Sequence, residues 1–384
     1  MQRVYLDSNA TTPILPEVFE AMRPHYLDQF GNASSIHHYG QRARAEVERA
    51  RESVAKLLGC RAAEVVFTSG GTESDNMATF GLTELGDHLI TSQIEHHAVL
   101  NACKRLEQRG VEVTYLRVDG QALVDPVDVR NALRPNTKLI SIMMANNETG
   151  VLEPVEEIGR IAAEADVYFH TDAVQAAGKV PIDVKRIGCD LLSISGHKFH
   201  GPQGIGALYV RRGTLIHPLF YGGNHERQRR AGTENLPGIV GLGRAAEIAL
   251  QGLAEGAVAK SAAQRDRLEA SLLDEIDAAG VNSGAARRVP NTSNIYFDHI
   301  EGEAMVIALD LKGLAVSTGA ACSSGAIEPS HVLTAMGLPP ERARASIRFS
   351  IGKHNNEEDI DFALSVIPAT VARLRELSPT YPQV

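Results

Sequence analysis

Short apolar runs separated by amphipathic stretches extend through most of the chain, and this pattern predicts strands that alternate with helices. Residues 43–58 carry Ala43, Val47 and Val54 on one helical face, at the three-and-four spacing of a buried stripe, and Gly59 suits the end of that helix. Apolar runs of strand length occupy residues 64–68, 88–92, 111–116, 139–144, 167–170, 190–194 and 206–210.

The order of these elements predicts an α/β fold with a mostly parallel sheet, because strands that alternate with helices form βαβ units. The run at residues 139–144 is apolar throughout, which is typical of a central strand covered on both faces. Later helices and strands are expected near residues 237–250, 259–279, 292–297, 303–311, 315–317 and 345–350. We therefore predict a large domain at residues 15–254, and a smaller α+β domain formed by residues 1–14 and 255–384.

Polar residues directly follow several of the predicted central strands. Asn147, Asp172 and Lys198 each come after such a strand, and a glycine turn with hydroxyl side chains follows another at residues 69–76. Ligands of open α/β sheets bind outside the carboxyl ends of the strands, so we expect these groups to converge on one crevice. The glycine turn precedes a helix, an arrangement that binds phosphate through backbone N–H groups, although alone it is a weak signal.

A lysine and an aspartate in these settings point to one cofactor. Pyridoxal phosphate requires a lysine amine that forms an imine and a carboxylate that holds the pyridinium nitrogen. Lys198 lies in a turn of hydroxyl, imidazole and glycine residues, and Asp172 ends a neighbouring strand. A lone lysine is usually a solvated surface residue. The aspartate and the glycine turn together favour the cofactor site.

Composition excludes several other functions. The 384 residues carry a net charge of -9, with 43% hydrophobic and 22% charged residues, which argues against direct nucleic-acid binding. We find no signal region and no apolar run of the ~18 residues that span a membrane, so we expect a cytoplasmic protein without membrane contact. His96 and His97 form a pair without a third ligand at suitable spacing, and we expect no metal site.

The four cysteines differ in their surroundings. Cys60, Cys103, Cys189 and Cys322 form no C-x-x-C pair, which argues against a zinc site and a disulfide framework. The first three occupy core-like or helix-end contexts, and we expect them to be small buried hydrophobes. Cys322 lies at the centre of a run of small residues, 319–326, where we expect an exposed thiol that can act as a nucleophile.

Two further segments leave more than one interpretation open. Residues 222–235 form a basic, glycine-containing loop in an acidic protein. Such a loop suits a solvated charge run, a subunit interface or an anion contact. Arg348 is the single arginine of an apolar strand, which suits either a carboxylate-binding fork or a surface position.

Together these motifs resemble those of the cysteine desulfurases of the NifS and IscS type, within the class V aminotransferase-like pyridoxal phosphate enzymes. The resemblance extends from residues 5–12 to residues 346–350. The most specific motifs are Ser195-Gly196-His197-Lys198, His170-Thr171-Asp172-Ala173-Val174-Gln175 and Ala321-Cys322-Ser323-Ser324-Gly325. The resemblance implies an aspartate-aminotransferase-like fold (fold type I) with a seven-stranded sheet in the large domain.

The resemblance also implies roles for individual residues. Lys198 would bind the cofactor covalently, Asp172 would pair with its pyridinium nitrogen, and His96 would stack on its ring and assist proton transfer. The other residues implied to contact the cofactor are Gly71, Thr72, Asn147, Gln175, Ser195, His197 and Thr233. Thr233 would reach the phosphate bound by the partner subunit, which implies a homodimer. The residues implied to hold the substrate carboxylate are Asn32, Asn147 and Arg348.

By the same resemblance, Lys198 would take the Cα proton of L-cysteine, and Cys322 would attack the substrate sulfur. The products would be L-alanine and a persulfide whose sulfur passes to an acceptor, such as an iron–sulfur scaffold or a tRNA-thiolation system. The sequence departs from the family in having Asn32-Ala33-Ser34-Ser35 where Asn-Pro-Ser-Ser is common. The tail after Arg348 is short, which leaves docking of a scaffold protein open.

Three alternatives compete with this interpretation. A selenocysteine lyase or another class V aminotransferase-type enzyme would use the same cofactor, although an aminotransferase does not need the thiol of Cys322. A nucleotide-binding Rossmann enzyme is suggested by the glycines of residues 238–243, but no strand precedes them and their spacing is G-x-x-G-x-G. A non-catalytic sulfur-relay subunit would not need the complete set of lysine, aspartate, histidine and cysteine.

Overall fold

The computed structural model describes residues 3–319 and 329–381. The strands, in chain order, are β1 (Val4–Tyr5), β2 (Val65–Thr68), β3 (His88–Ser92), β4 (Glu112–Leu116), β5 (Thr137–Ser141), β6 (Tyr168–Asp172), β7 (Leu191–Ser195), β8 (Gly206–Val210), β9 (Ala279–Val281), β10 (Thr292–Phe297), β11 (Leu314–Ala315) and β12 (Ser346–Ser350). The helices are α1 (Pro16–Met22), α2 (Pro24–Leu27), α3 (His38–Leu58), α4 (Gly71–Leu82), α5 (His97–Glu107), α6 (Pro126–Ala132), α7 (Val155–Glu164), α8 (Val184–Ile187), α9 (Leu236–Ala254), α10 (Ala257–Glu275), α11 (Gly302–Leu311), α12 (His331–Ala335), α13 (Pro340–Arg344) and α14 (Glu357–Leu377).

A seven-stranded sheet forms the centre of the larger part of the molecule, in the order β2-β8-β7-β6-β5-β3-β4. Every neighbouring pair is parallel except the two that involve β8. Strands β3, β7 and β8 are buried along their whole length, as expected for strands covered on both faces. The predicted α/β class with a mostly parallel sheet is confirmed.

The rest of the chain contains two smaller sheets. Strands β12, β10 and β9 form an antiparallel sheet, and β1 pairs in parallel with β11. The core of this part combines Val4 and Leu6 with residues between Leu268 and Val371. The first residues of the chain therefore pack in the same core as residues 268–371. The domain boundaries at residues 15 and 254 remain a prediction.

Helix α3 shows how the apolar pattern fixes the packing. The predicted stripe of Ala43, Val47 and Val54 is buried, and helix α9 packs against that face. Gly59 ends the helix with φ of 72°, a left-handed conformation that glycine adopts without steric cost. The helix begins five residues earlier than predicted, because the His37 side chain caps it by accepting a hydrogen bond from the Gly40 N–H.

Several predicted boundaries were wrong. Strand β5 ends at Ser141, although the apolar run continues to Met144 and remains buried. The helix predicted at residues 259–279 ends at Glu275, because Ile276 is extended and buried and the chain then enters strand β9. Burial continues across both element ends, so hydrophobicity alone could not locate them.

The glycines behind the Rossmann alternative lie in helix α9, which begins after Asn235. A Cβ on Gly241 would lie 2.6 Å from the sulfur of Met22, and one on Gly243 would lie 2.6 Å from the Cα of Ala50. These glycines therefore serve close packing against helices α1 and α3. Over the residues described here, no helix is long and apolar enough to cross a membrane.

Candidate active site

Lys198 lies at the carboxyl end of strand β7, in a short 3-10 turn. Its Nζ donates hydrogen bonds to the backbone carbonyls of Asn9 at 2.7 Å and Ala10 at 2.8 Å. The polar turn near the start of the chain is thereby brought against the reactive lysine predicted from the sequence.

Asp172 ends strand β6, next to β7, and its side chain is buried. Its Oδ1 accepts a hydrogen bond from the N–H of Val174 at 2.8 Å. Burial raises the pKa of Asp172 to about 6, while this N–H bond and the charge of Lys198 act to lower it. The predicted carboxylate and lysine therefore influence each other electrostatically at the same edge of the sheet.

Below Asp172 lies a group of buried ionisable residues that the sequence reasoning did not single out. Burial, together with the charge of Asp172, raises the pKa of Asp75, and burial raises the pKa of Glu95 to about 8. His170 bonds to Ser hydroxyls through both ring nitrogens, and burial lowers its pKa to about 3. Burial therefore favours the neutral form of all three groups, whereas Asp172, with a pKa of about 6, is ionised at pH 7. In the sequence, the only signal for these buried groups was their position beside the motif residues.

The predicted phosphate turn forms the start of helix α4, six residues before the expected helix. Gly70 has φ of 153°, and the first intrahelical bond runs from the Ser74 N–H to the Gly70 carbonyl at 3.1 Å. The N–H groups of Gly71 and Thr72 therefore precede the hydrogen-bonded helix and point out of its end. A Cβ on Gly71 would lie 2.7 Å from Val174 Cγ2, so the backbone approach requires glycine.

A cleft of about 380 Å³ opens at this helix start. The predicted residues that line it are Gly71, Thr72, Ser195 and His197. Burial lowers the pKa of His197 to about 4, with the charge of Lys198 as a second cause. The cleft therefore joins backbone N–H groups, a hydroxyl and a neutral imidazole, all of which can contact an anion.

His96 caps helix α5, where its Nδ1 accepts a hydrogen bond from the Ala98 N–H at 3.1 Å. Burial, together with the charges of Lys198, His97 and His331, lowers the pKa of His96 to about 4. The ring is therefore neutral at pH 7. A neutral imidazole suits stacking on an aromatic ring, which is the role implied by the resemblance.

Asn9 connects the predicted site residues, although the sequence alone assigned it no role. Its backbone carbonyl accepts from Gln175 Nε2 at 3.0 Å, in addition to the bond from Lys198. Its Nδ2 donates to the Asn147 carbonyl at 3.1 Å, and its Oδ1 accepts from Lys179 Nζ at 2.9 Å. Asn9 lies in residues 5–12, where the resemblance begins, but its role as a connector could not be predicted because its partners are distant in sequence.

Arg348 is buried on strand β12 and is therefore not a surface arginine. One terminal nitrogen donates to Asp7 Oδ1 at 2.7 Å, and the other donates to the Asn147 carbonyl at 2.9 Å. Within the described ranges, Arg348 Nε and Asn147 Oδ1 are buried without a hydrogen-bond partner. The Arg348 side chain is thus held in place, and both side chains retain hydrogen-bonding capacity for a ligand.

Other predicted residues lie apart from this network. Asn32 is exposed and accepts a hydrogen bond from the Ser34 N–H within its own loop. Thr233 is exposed on the basic loop. Cys322 lies outside the described residues.

The basic loop at residues 222–235 is only partly a solvated charge run. Its Glu226 is buried and forms a two-pronged ion pair with Arg51 of helix α3. Its Arg230 donates to both carboxylate oxygens of Glu73, in the first turn of helix α4. The loop is therefore fastened to the same helix whose start forms the anion cleft.

His96, His97 and His331 bring three imidazole rings close together. His97 and His331 have ring centroids 4.7 Å apart, and His331 Nε2 lies 3.0 Å from the Glu95 carbonyl. In the part of the chain that the structure describes, no group of three or more His, Cys, Asp or Glu residues is arranged to hold a metal ion.

Comparison with known proteins agrees with this geometry. The chain belongs to the class-V aminotransferase family, whose model matches residues 4–362. Within that family its relatives include cysteine desulfurases. It is 50% identical to the cysteine desulfurase IscS of Dictyoglomus turgidum over 382 residues, which cover 98% of this chain and 97% of that protein.

Two further comparisons support the same placement. The cysteine desulfurase IscS of Methanosarcina thermophila is 51% identical over 386 residues, which cover 99% of this chain and 95% of that protein. A solved structure described as a NifS-like protein superposes with a TM-score of 0.90 and 38% identity, and the match covers 97% of this chain and all of that one. The family and fold implied by the sequence motifs are confirmed.

Proposed function

We propose that this chain is a cysteine desulfurase that converts L-cysteine to L-alanine with pyridoxal 5'-phosphate as cofactor. The sulfur removed from L-cysteine would be carried as a persulfide on Cys322. The observation that carries the proposal is the convergence of Lys198, Asp172 and the start of helix α4 at one edge of the sheet, in a chain about half identical to cysteine desulfurases.

The residues present fit this cofactor. Asp172 offers a buried carboxylate at a strand end, where a pyridinium N–H would compensate its charge. The glycine backbone at Gly71 and the hydroxyl of Ser195 offer a phosphate cradle. When bound, pyridoxal phosphate supplies an electron sink for a carbanion at the substrate α-carbon. Gln175 and His96 would contact its ring.

Lys198 is the group that we assign to proton transfer. Its amine is held at the site through the carbonyls of Asn9 and Ala10. An amine at the strand end can take the Cα proton of the substrate once it is neutral, and return a proton later. His96 is neutral at pH 7 and can accept a proton as well. Asp172 remains the anion that balances positive charge on this side of the site.

We assign the substrate carboxylate to Arg348 and Asn147. The guanidinium is held by Asp7 and by the Asn147 carbonyl, so it would meet the ligand with little loss of side-chain freedom. The loop that contains Asn32 would complete the carboxylate-binding site.

In the sulfur step, the Cys322 thiolate attacks the substrate sulfur and the S–Cβ bond breaks. Cys322 gains one sulfur as a persulfide, and the carbon skeleton leaves as L-alanine after protonation.

We further propose a homodimer and delivery of the sulfur to an acceptor protein such as an iron–sulfur scaffold. Arg230 and Glu226 fasten the basic loop to helices α4 and α3. This support would present the exposed Thr233 to the phosphate bound by the partner subunit. We also retain the division into residues 15–254 and residues 1–14 with 255–384 as part of the proposal.

The test is alanine release from L-cysteine, with a reductant present to clear the persulfide. We expect the wild type to release alanine and Cys322→Ala to lose this activity while it keeps the visible absorbance of bound cofactor. Cys60→Ala is the matched control, because burial raises the pKa of Cys60 to about 12 and leaves it a thiol. Equal turnover in Cys322→Ala and wild type would contradict the sulfur-acceptor role, and absence of cofactor absorbance would contradict the enzyme class.

A further inference from the structure

A second cavity lies between helices α9 and α10 and the turn that follows strand β12. Its volume is about 260 Å³, and Phe199 and Gln264 form part of its wall. Lys198 also lines this cavity, whereas Asp172 does not. No residue lines both this cavity and the cleft at the start of helix α4, and the proposed reaction uses none of the cavity's lining residues other than Lys198.

Two buried polar side chains face this cavity without a partner. Gln264 is 2% exposed and Ser8 is 1% exposed, and both line the cavity wall. Considering only residues 3–319 and 329–381, Gln264 Nε2 and Ser8 Oγ have no hydrogen-bond partner. Buried polar groups are normally satisfied, so an unpaired amide and an unpaired hydroxyl on one cavity indicate a polar occupant.

The charges around the cavity have one sign. Besides Lys198, which the cofactor would engage, its lining includes Lys179 and the exposed Lys260 and Lys353, and no described aspartate or glutamate belongs to it. Burial lowers the pKa of Lys179 well below its usual range, and the charges of Lys198 and Arg348 add to this effect. A negative charge in the cavity would compensate these lysines.

The remaining wall is apolar and limits the size of the occupant. Leu15, Phe199, Ile248, Val258 and Ile351 contribute side chains to it. A volume of about 260 Å³ is below the ~300–1,000 Å³ of pockets that hold drug-sized ligands. The cavity thus suits a molecule with a small apolar body and one anionic group.

We propose that this cavity binds a small carboxylate with an apolar body and no positive charge. Its carboxylate would accept hydrogen bonds from Gln264 Nε2 and Ser8 Oγ and lie near Lys179. An α-amino acid does not fit this description, because its ammonium group would meet the lysines. The site is therefore distinct in chemistry from the site proposed for L-cysteine.

A ligand here would be joined to the active site by a short chain of hydrogen bonds. Lys179 Nζ donates to Gln175 Oε1 at 2.7 Å and to Asn9 Oδ1 at 2.9 Å, which uses two of its three N–H groups. Gln175 and Lys198 both donate to the carbonyl of Asn9. A bound carboxylate would favour the charged form of Lys179, and the third N–H of that ammonium would donate to the carboxylate.

The experiment is calorimetric titration of benzoate into the full-length, cofactor-saturated protein at low ionic strength, with benzamide as the neutral isostere. We expect one benzoate per chain, at least tenfold weaker binding of benzamide, and at least tenfold weaker benzoate binding by Gln264→Leu. The fold-changes correspond to loss of a hydrogen bond to a charged group. Gln251→Leu is the matched control, since Gln251 is exposed on helix α9 and does not line the cavity.

A second variant, Ser8→Ala, removes only a hydroxyl and should also weaken benzoate binding. If millimolar benzoate gives no heat of binding, the proposed site is refuted, and water satisfies the polar groups of Gln264 and Ser8. It is equally refuted by unchanged affinity in both Gln264→Leu and Ser8→Ala. Benzamide binding as tightly as benzoate would overturn the assignment of a carboxylate. None of these readouts depends on desulfurase activity.

Discussion

The buried ion pair between Arg51 and Glu226 should contribute strongly to the stability of the site. Their side chains are 7% and 3% exposed, and two bonds of 2.7 and 2.8 Å join them. Glu226 also accepts from the Phe67 N–H at 3.0 Å, and the Arg51 guanidinium lies 4.6 Å from the centre of the Phe67 ring. Helix α3, strand β2 and the basic loop therefore meet at one carboxylate.

Replacing Glu226 with alanine leaves the buried Arg51 cation with only the half-exposed Glu48, 3.2 Å from its Nε, as an ion partner. Removal of one member of a buried pair costs about 3–5 kcal/mol, because the remaining charge is uncompensated. At about 2.1 cal/mol/K of unfolding entropy per residue, a chain of 384 residues shifts by roughly 1.2 °C per kcal/mol, so thermal unfolding of the cofactor-loaded protein should begin about 4–6 °C lower. Glu164→Ala is the control: its ion pair with Arg130 is 2.8 Å long but more than half exposed, and it should cost no more than about 1 kcal/mol.

The double variant Arg51→Met/Glu226→Leu tests the physical cause. If the cost comes from the stranded charge, replacing both partners by apolar side chains should recover much of the lost stability. Thermal unfolding monitored by circular dichroism measures all three variants. A double variant less stable than Glu226→Ala would refute the reasoning, and so would equal losses in Glu226→Ala and Glu164→Ala.

Three further predictions address the site. Gly71→Ala should retain less cofactor after dialysis, because its Cβ would lie 2.7 Å from Val174 Cγ2. The control Gly120→Ala, whose Cβ would meet nothing closer than 4.0 Å, should retain as much cofactor as wild type. Equal retention by Gly71→Ala and wild type would contradict the phosphate cradle. Arg348→Lys should raise KM for L-cysteine at least tenfold through loss of the planar fork, and an unchanged KM would remove the arginine from the substrate site. Burial raises the pKa of Glu95 from 4.5 to about 8, so between pH 4.5 and pH 8 this carboxyl is protonated in the folded protein and ionised in the unfolded chain. The free energy of unfolding should therefore fall as pH rises through that window. Glu95→Gln stays neutral and should lose less stability between pH 5 and 8 in urea titrations, and parallel pH profiles would show that Glu95 is ionised when folded.

Much of the fold could be predicted from the sequence because strand-length apolar runs are local signals. The seven runs between residues 64 and 210 became the seven strands of the large sheet, and the polar groups after them lie at one edge. Element ends were harder, since burial continues past Ser141 into Met144 and past Glu275 into Ile276. Periodicity reports which face is buried, and it does not report where the hydrogen-bonded ladder or helix stops.

The candidate site was predictable where a residue belongs to a local motif. Lys198, Asp172 and the Gly71 turn each had such a setting. Asn9 and Glu95 did not, because their importance arises from contacts with residues far along the chain. Gln264 was similarly hidden within an amphipathic helix, where an isolated buried amide has no sequence signature.

The position of Asn9 affects how the protein is made. The N–H of Asn9 bonds to the Ser350 hydroxyl, and Asp7 pairs with Arg348, across 341 residues of sequence in each case. During synthesis, the first residues leave the ribosome long before these partners exist. The large sheet can form while the chain grows, but the reactive lysine acquires its final surroundings only near the end of translation. A truncated chain that lacks strand β12 would therefore carry Lys198 without a completed catalytic centre.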